Sequence, residues 1–249
     1  MILLNGELQD SEKIHLDSGF YFGRGLFETM LVKRKPVFLT EHLNRINSGL
    51  KIIGVNKKIT EEDVLEAVSK LKCEDCVLKL VVTDKNVIYT TRKNNYTEEQ
   101  YKKGFSIKIS TVKRNPYSKI TYLKSLNYLE NILEHEECIE EGYNEVIFFN
   151  TSGKLAEGSV SNVFFIKNKK IYTPSTDCGL LNGTVRKFVV NNYDVIEGEF
   201  YEQDLINSDE IFLTNSIMGV MKVSKLSNKY IKSSGITETI RKKYEEYIK

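Results

Sequence analysis

The chain is predicted to be an α+β protein of two domains, and three observations carry that expectation. Short apolar or alternating runs that read as strands are more numerous than a simple doubly wound sheet would show. The polar, proline-bearing run Arg114-Asn115-Pro116-Tyr117-Ser118-Lys119 has the character of a linker, and the pattern changes after it. A length of 249 residues suffices for two modest domains. The expected division is a smaller N-terminal α+β domain over residues 1–113, a linker over 114–120 and a larger C-terminal domain over 121–249.

The elements follow in order. A strand, a turn at Asn5-Gly6 and a second strand open the chain, and Phe22-Gly23-Arg24-Gly25 feeds a strand over 26–32. A helix begins near Thr40, where Leu43, Ile46, Leu50 and Ile53 recur at helical spacing and Arg45 leaves that stripe. A second helix covers 61–71 behind Thr60, and strands over 77–83, 87–91 and 105–112 complete the first domain. The second domain begins with a helix over 126–141, on which Leu126, Leu129, Ile132 and Leu133 form an apolar face. Strands over 146–149, 154–157, 162–166 and 170–173 come next, then a helix after Gly183 and strands near 211–214 and 220–223. An amphipathic helix using Ile236, Ile240, Tyr244 and Tyr247 closes the chain.

Composition excludes several classes of function. The formal charge is +2 with the basic residues scattered, so nothing favours a nucleic acid or an anionic membrane as partner. No apolar stretch reaches spanning length and the N-terminal apolar run is too short for a signal peptide, which predicts a cytoplasmic protein. Cys73-Glu74-Asp75-Cys76 lacks the second ligand pair that zinc requires, so the four cysteines are expected to be reduced structural thiols and no metal is expected. His15, His42 and His135 lie far apart and no serine sits in a nucleophile-elbow sequence, which gives a hydrolase triad little to build on.

Lys124, at the mouth of the expected 126–141 helix, is the most informative residue. By itself, among thirty-six Lys and Arg residues, it reads as a plain surface lysine, but a lysine amine that adds to a carbonyl is a covalent catalyst and the motif downstream favours that reading. Downstream, Glu157 lies between a turn at Gly153 and Gly158, which permits close backbone approach. A carboxylate there suits a solvated hairpin or a partner for a pyridinium nitrogen. Tyr128 follows Lys124 by four residues, one helical face if the stretch is helical. Asn182-Gly183-Thr184 opens a helix where a phosphate would meet oriented backbone donors.

Four motifs occur in order: Lys124-Ser125-Leu126-Asn127, Ala156-Glu157-Gly158-Ser159-Val160-Ser161-Asn162, Leu180-Leu181-Asn182-Gly183-Thr184-Val185-Arg186 and Phe212-Leu213-Thr214-Asn215-Ser216-Ile217-Met218-Gly219-Val220. Together they resemble the class IV, D-amino-acid-aminotransferase-like enzymes that use pyridoxal 5'-phosphate (PLP), over nearly the whole chain. The resemblance implies the two-domain α+β fold of that family and a homodimer acting on a small-molecule amine. It implies that Lys124 is catalytic and forms a Schiff base with PLP, that Glu157 pairs with the ring nitrogen, and that Arg45, Thr184, Val185, Ser216 and Ile217 hold the phosphate. Tyr128 either hydrogen-bonds the ring hydroxyl or packs as an aromatic.

Within the family the resemblance leans toward the aminodeoxychorismate lyases, which convert 4-amino-4-deoxychorismate to 4-aminobenzoate and pyruvate in folate biosynthesis. The chain is compact, Phe27 stands where D-amino acid aminotransferases carry a tyrosine, and the 214–221 loop looks like the lyase version. An aminotransferase for D-amino or branched-chain amino acids and a non-catalytic PLP-binding protein are the alternatives. Arg24, Phe27, Lys79 and Arg92 are the candidates for contacting substrate, with a surface or interface ion pair as the other reading of Arg24.

Overall fold

The computed structural model describes residues 1–10 and 13–249. The chain divides into two compact units, residues 1–95 with 123–128 and residues 96–122 with 129–249. The run at 114–120, expected as a linker, therefore lies inside the second unit. The strand Phe105–Arg114 that leads into it is hydrogen-bonded into the sheet of the second unit, not that of the first.

The first unit contains β1 (Ile2–Leu4), β2 (Glu7–Gln9), α1 (Ser18–Phe22), β3 (Gly25–Val32), α2 (Leu39–Ile52), α3 (Glu61–Lys70), β4 (Cys76–Thr83) and β5 (Val87–Arg92). Its strands form a five-stranded sheet in the order β2-β1-β5-β4-β3. The alternation of β3 and β4 gives the sheet two faces. Leu26, Met30, Leu78, Leu80 and Val82 are buried with Ile46 and Leu50 of α2, as the helical stripe predicts. Phe27, Thr29, Lys79, Val81, Thr90 and Arg92 share the other face, because Phe27 pairs with Val81, Thr29 with Lys79, Lys79 with Thr90 and Val77 with Arg92. Thr60 starts α3 through a capping box with Asp63, which satisfies two otherwise unpaired backbone donors. Cys73 and Cys76 are joined in a disulfide, correcting the expectation of reduced thiols. Their Cα atoms lie 5.6 Å apart across the turn into β4, within bonding reach.

The second unit contains α4 (Glu98–Lys103), β6 (Phe105–Arg114), α5 (Leu129–Glu140), β7 (Glu145–Asn150), β8 (Leu155–Gly158), β9 (Asn162–Lys167), β10 (Lys170–Pro174), α6 (Thr184–Asn192), β11 (Val195–Gly198), α7 (Glu202–Ile206), β12 (Glu210–Asn215), β13 (Gly219–Leu226), β14 (Lys229–Tyr230) and α8 (Ile236–Tyr247). Its nine-stranded sheet runs β11-β10-β9-β12-β13-β6-β7-β8, with β14 on β13. Parallel β6–β7 and β6–β13 pairs sit among antiparallel ones, so strand runs such as 145–150 are buried on both faces and read as continuous apolar sequence. The expected 126–141 helix begins only at Leu129. Leu129, Ile132 and Leu133 are 65%, 45% and 55% exposed, so the apolar face read from their spacing is not part of the unit's core; Cys138 is the buried residue of α5. Among the described residues, no helix is long and apolar enough to cross a membrane.

Candidate active site

In the first unit, Lys124 lies on an extended segment, not a helix, that runs along the outer edge of β3. The Phe27 amide donates to the Lys124 carbonyl at 2.9 Å and the Leu126 amide to the Gly25 carbonyl at 3.0 Å. The glycines of Gly23-Arg24-Gly25 make room for it. A Cβ on Gly25 would meet Leu126 Cδ1 at 2.6 Å, and one on Gly23, whose φ is +65°, would meet Asn127 Oδ1 at 2.7 Å. The backbone of the lysine is thereby fixed to the rim of a rigid sheet.

The Lys124 amine stands 4.4 Å from the Phe27 ring centre and 5.5 Å from that of Tyr128, and the two rings meet edge to face at 5.2 Å. Tyr128 thus shares a site with Lys124 without the helical spacing that suggested it. The Lys79 ammonium lies 5.3 Å from the same Phe27 ring. Arg92 lies on this sheet face, diagonal to Lys79, and its Nη1 donates to the Lys93 carbonyl at 3.1 Å. Arg24 is turned to α2, where Nε and Nη2 donate to the carbonyls of Ile53 and Gly54, each at 2.8 Å. These bonds close the C-terminal end of the helix and give Arg24 a structural task in place of the expected substrate contact.

Arg45 meets a carboxylate that the motifs did not reveal. Its Nε and Nη2 donate to Glu28 Oε1 and Oε2 at 2.7 and 2.6 Å, and His42 Nδ1 lies 2.6 Å from Oε2. Burial pushes the Glu28 carboxyl up, but the charges and hydrogen bonds of Arg45 and His42 outweigh it and hold the group well below the ordinary carboxylate range. Burial likewise drives His42 below its ordinary value, with Glu28 opposing. The ring is therefore neutral near pH 7, donating from Nδ1, while Nε2 is buried without a partner. The available signal was an acid at a core-facing position of an apolar strand, which demands a partner.

In the second unit, Glu157 is 8% exposed on β8. Its Oε2 accepts the Leu181 amide at 3.0 Å, and its Oε1 lies 3.4 Å from Arg114 Nε. Arg114, read from sequence as linker, stacks its guanidinium 3.8 Å from the Phe148 ring centre and reaches Glu130 with Nη1 at 2.6 Å. The 158–161 loop is gathered by buried Glu145, which accepts the Ser159 amide at 3.0 Å and the Ser161 hydroxyl at 2.7 Å. Asn162 starts β9 and turns its side chain to the loop before α6. It donates to the Leu181 carbonyl at 2.7 Å and accepts the Gly183 amide at 3.2 Å, holding the loop that leads into α6.

That loop suits an anion. α6 starts behind Gly183 with no side-chain cap, and the Thr184 hydroxyl is buried without a hydrogen-bond partner. An uncapped helix start with an unmatched buried hydroxyl offers donors to a phosphate, so the residues present fit a phosphorylated cofactor. Val185 is fully buried behind them. In the β12–β13 turn, Asn215 Oδ1 already accepts the amides of Ile217 at 2.9 Å and Met218 at 2.8 Å, so a phosphate reaching Ile217 would share its amide. Ser216, in the same turn, is half-buried.

The chain is 29% identical over 278 residues to the aminodeoxychorismate lyase of Bacillus subtilis (strain 168), covering 100% of this chain and 95% of that protein. It is 27% identical to the D-alanine aminotransferase of Staphylococcus aureus (strain MSSA476), covering 99% and 97%. Its fold matches the T.th. branched-chain amino acid aminotransferase with pyridoxamine 5'-phosphate, with a TM-score of 0.88 at 21% identity over 99% of this chain and 93% of that one. The family model for amino-transferase class IV matches residues 25–226, and the chain belongs to that family of PLP-dependent enzymes.

Proposed function

We propose that the enzyme is a lyase that converts 4-amino-4-deoxychorismate to 4-aminobenzoate and pyruvate. The observation that carries this reading is the arrangement around Phe27: the Lys124 amine and the Lys79 ammonium both address one apolar ring, on a sheet face shared with Arg92. An aromatic floor suits a cyclohexadiene ring, and cations suit its two carboxylates. Full-length similarity to the B. subtilis lyase supports the same choice.

When bound, PLP supplies an aldehyde that captures the substrate amine and a ring that accepts the electrons released at the amine-bearing carbon. In this proposal the chain's own residues do the rest. Lys124 carries the cofactor between turnovers, then takes the proton from the amine-bearing carbon as a general base. Loss of that proton would expel the enolpyruvyl oxygen from the neighbouring carbon and leave an aromatic ring, and return of the proton to the methylene carbon of the departing enolate would give pyruvate. Glu157 meets the ring nitrogen as a carboxylate, stabilising its protonated form. Thr184, Val185, Ser216 and Ile217 receive the phosphate, with Arg45 as the cationic member, and Tyr128 meets the ring hydroxyl. Lys79 and Arg92 receive substrate carboxylates, with Phe27 beneath the ring.

A homodimer is part of the proposal, supported by the exposed Leu129, Ile132 and Leu133 of α5. The test of function is to supply PLP-loaded protein with aminodeoxychorismate and no keto acid. Release of 4-aminobenzoate and pyruvate supports the lyase. A strict need for 2-oxoglutarate, with turnover of D-alanine or branched-chain amino acids, would replace it with an aminotransferase.

A further inference from the structure

We infer that Arg114 is a positioning residue that keeps the Glu157 carboxyl ionised, and so sets the charge that the acid presents to its ligand. The inference rests on the reading of Glu157 as the acid that meets the ring nitrogen.

Burial alone would favour the neutral form of an acid as enclosed as Glu157. The Leu181 amide meets one oxygen, and Arg114 Nε stands 3.4 Å from the other. That separation is an ion-pair distance without a hydrogen bond, since Nε makes none. The nearby charge stabilises the anion without occupying that oxygen with an N–H of its own. Arg114 itself is held from three sides: its backbone pairs with Asn150 at the end of β6, its guanidinium lies on Phe148 of β7, and Nη1 grips Glu130 of α5. Nη2 is buried without a partner, so Glu130 does not take up the whole guanidinium.

The two carboxylates that share Arg114 differ in exposure. The Glu130 side chain is 54% exposed and that of Glu157 is 11%. Water screens the first pair more than the second, so the shorter contact to Glu130 leaves a share of the arginine's charge acting on Glu157. Within the second unit, Arg114 on β6 is the cation beside Glu157, and Glu130 on α5 reaches the acid through it. Phe148 on β7 and the Leu181 amide do not titrate, and Glu145 on β7 is turned to the 159–161 loop.

The test follows the Glu157 carboxyl by carbon-13 NMR in cofactor-free protein, with Glu157→Gln identifying the signal. In Arg114→Gln the pH of its ionisation should rise by about one unit or more, and Arg114→Lys should restore most of the shift. Glu130→Gln, which removes the competing charge but keeps a carbonyl that Nη1 of Arg114 can donate to, should move it the other way by about 0.3 units. Thermal melting checks that each variant is folded, and if Arg114→Gln does not fold, the Lys and Glu130 variants decide. An ionisation unmoved in Arg114→Gln, or unmoved in Glu130→Gln where Arg114→Gln does not fold, overturns the role of Arg114. Separately, if Glu157→Gln leaves the pH dependence of the bound cofactor's absorbance unaltered, the reading of Glu157 itself is wrong, whatever Arg114 does.

Discussion

Two arginine–carboxylate pairs, one in each unit, show opposite ways of using the same chemistry. Arg45 and Glu28 meet through two hydrogen bonds of 2.7 and 2.6 Å, with His42 on the second oxygen. Arg114 Nε stands 3.4 Å from one oxygen of Glu157, and the Leu181 amide donates to the other. The first carboxylate is saturated by side chains of α2. Its task is to hold Arg45, whose side chain keeps 14% exposure. The second is held by a charge at a distance, which suits an acid that meets a ring nitrogen. The motifs single out Glu157 and pass over Glu28; the partner geometry adds that one carboxylate is taken up by side chains and the other, proposed to meet a ring nitrogen, is not.

Substitutions that exploit this difference should give effects of descending size. Removing the amine in Lys124→Ala should lower turnover by at least about 10³-fold with little change in stability, checked by steady-state assay and thermal melting. Next, Glu28→Gln leaves a buried guanidinium without its anion and should cost about 3–5 kcal/mol of unfolding free energy. Glu157→Gln should instead lower turnover strongly and stability by less, and equal stability losses in denaturant titrations would erase the distinction between the pairs. Smaller still is Gly183→Ala. Its added Cβ would meet Asn162 Oδ1 at 2.2 Å, and that side chain is buried and bonded at both ends, so the loop into α6 must shift. About tenfold weaker PLP binding by fluorescence titration is expected, equivalent to about 1.4 kcal/mol.

The saturated pair also has a pH signature. Because Glu28 ionises at a lower pH in the folded protein than unfolded, its contribution is complete above the unfolded value of about 4.5 and is lost as pH falls below it. His42 acts with the same sign: the unfolded chain takes up its proton as pH falls through about 6.5, whereas the buried ring resists. Unfolding free energy should therefore decline from about pH 6.5 downward, and His42→Gln should flatten the upper part of that slope in denaturant titrations at successive pH values.

Where the backbone alone decides conformation, sequence was a good guide. The Leu43, Ile46, Leu50 and Ile53 stripe packs against the first sheet, and Thr60 caps α3 as expected. Gly153 turns with φ +75° into β8. Sequence misled where tertiary pairing overrides local pattern. Lys124 seemed to open an apolar helix, but the Gly23 and Gly25 positions let its segment lie extended on β3. Arg114 seemed a linker residue because proline follows nearby, whereas its side chain turns inward to Phe148 and Glu157. Glu28 and His42 escaped notice because their partners come from different elements, and no spacing rule joins a strand acid to a helix histidine. The motifs mark where chemistry is expected, while Glu28, His42 and Arg114 emerge only from their contacts.

The most direct measurement is the product balance of PLP-loaded enzyme given aminodeoxychorismate without any keto acid. The lyase reading predicts 4-aminobenzoate and pyruvate in equal amounts over many turnovers, with the reaction lost in Lys124→Ala. A stop after a single turnover that 2-oxoglutarate relieves would contradict it.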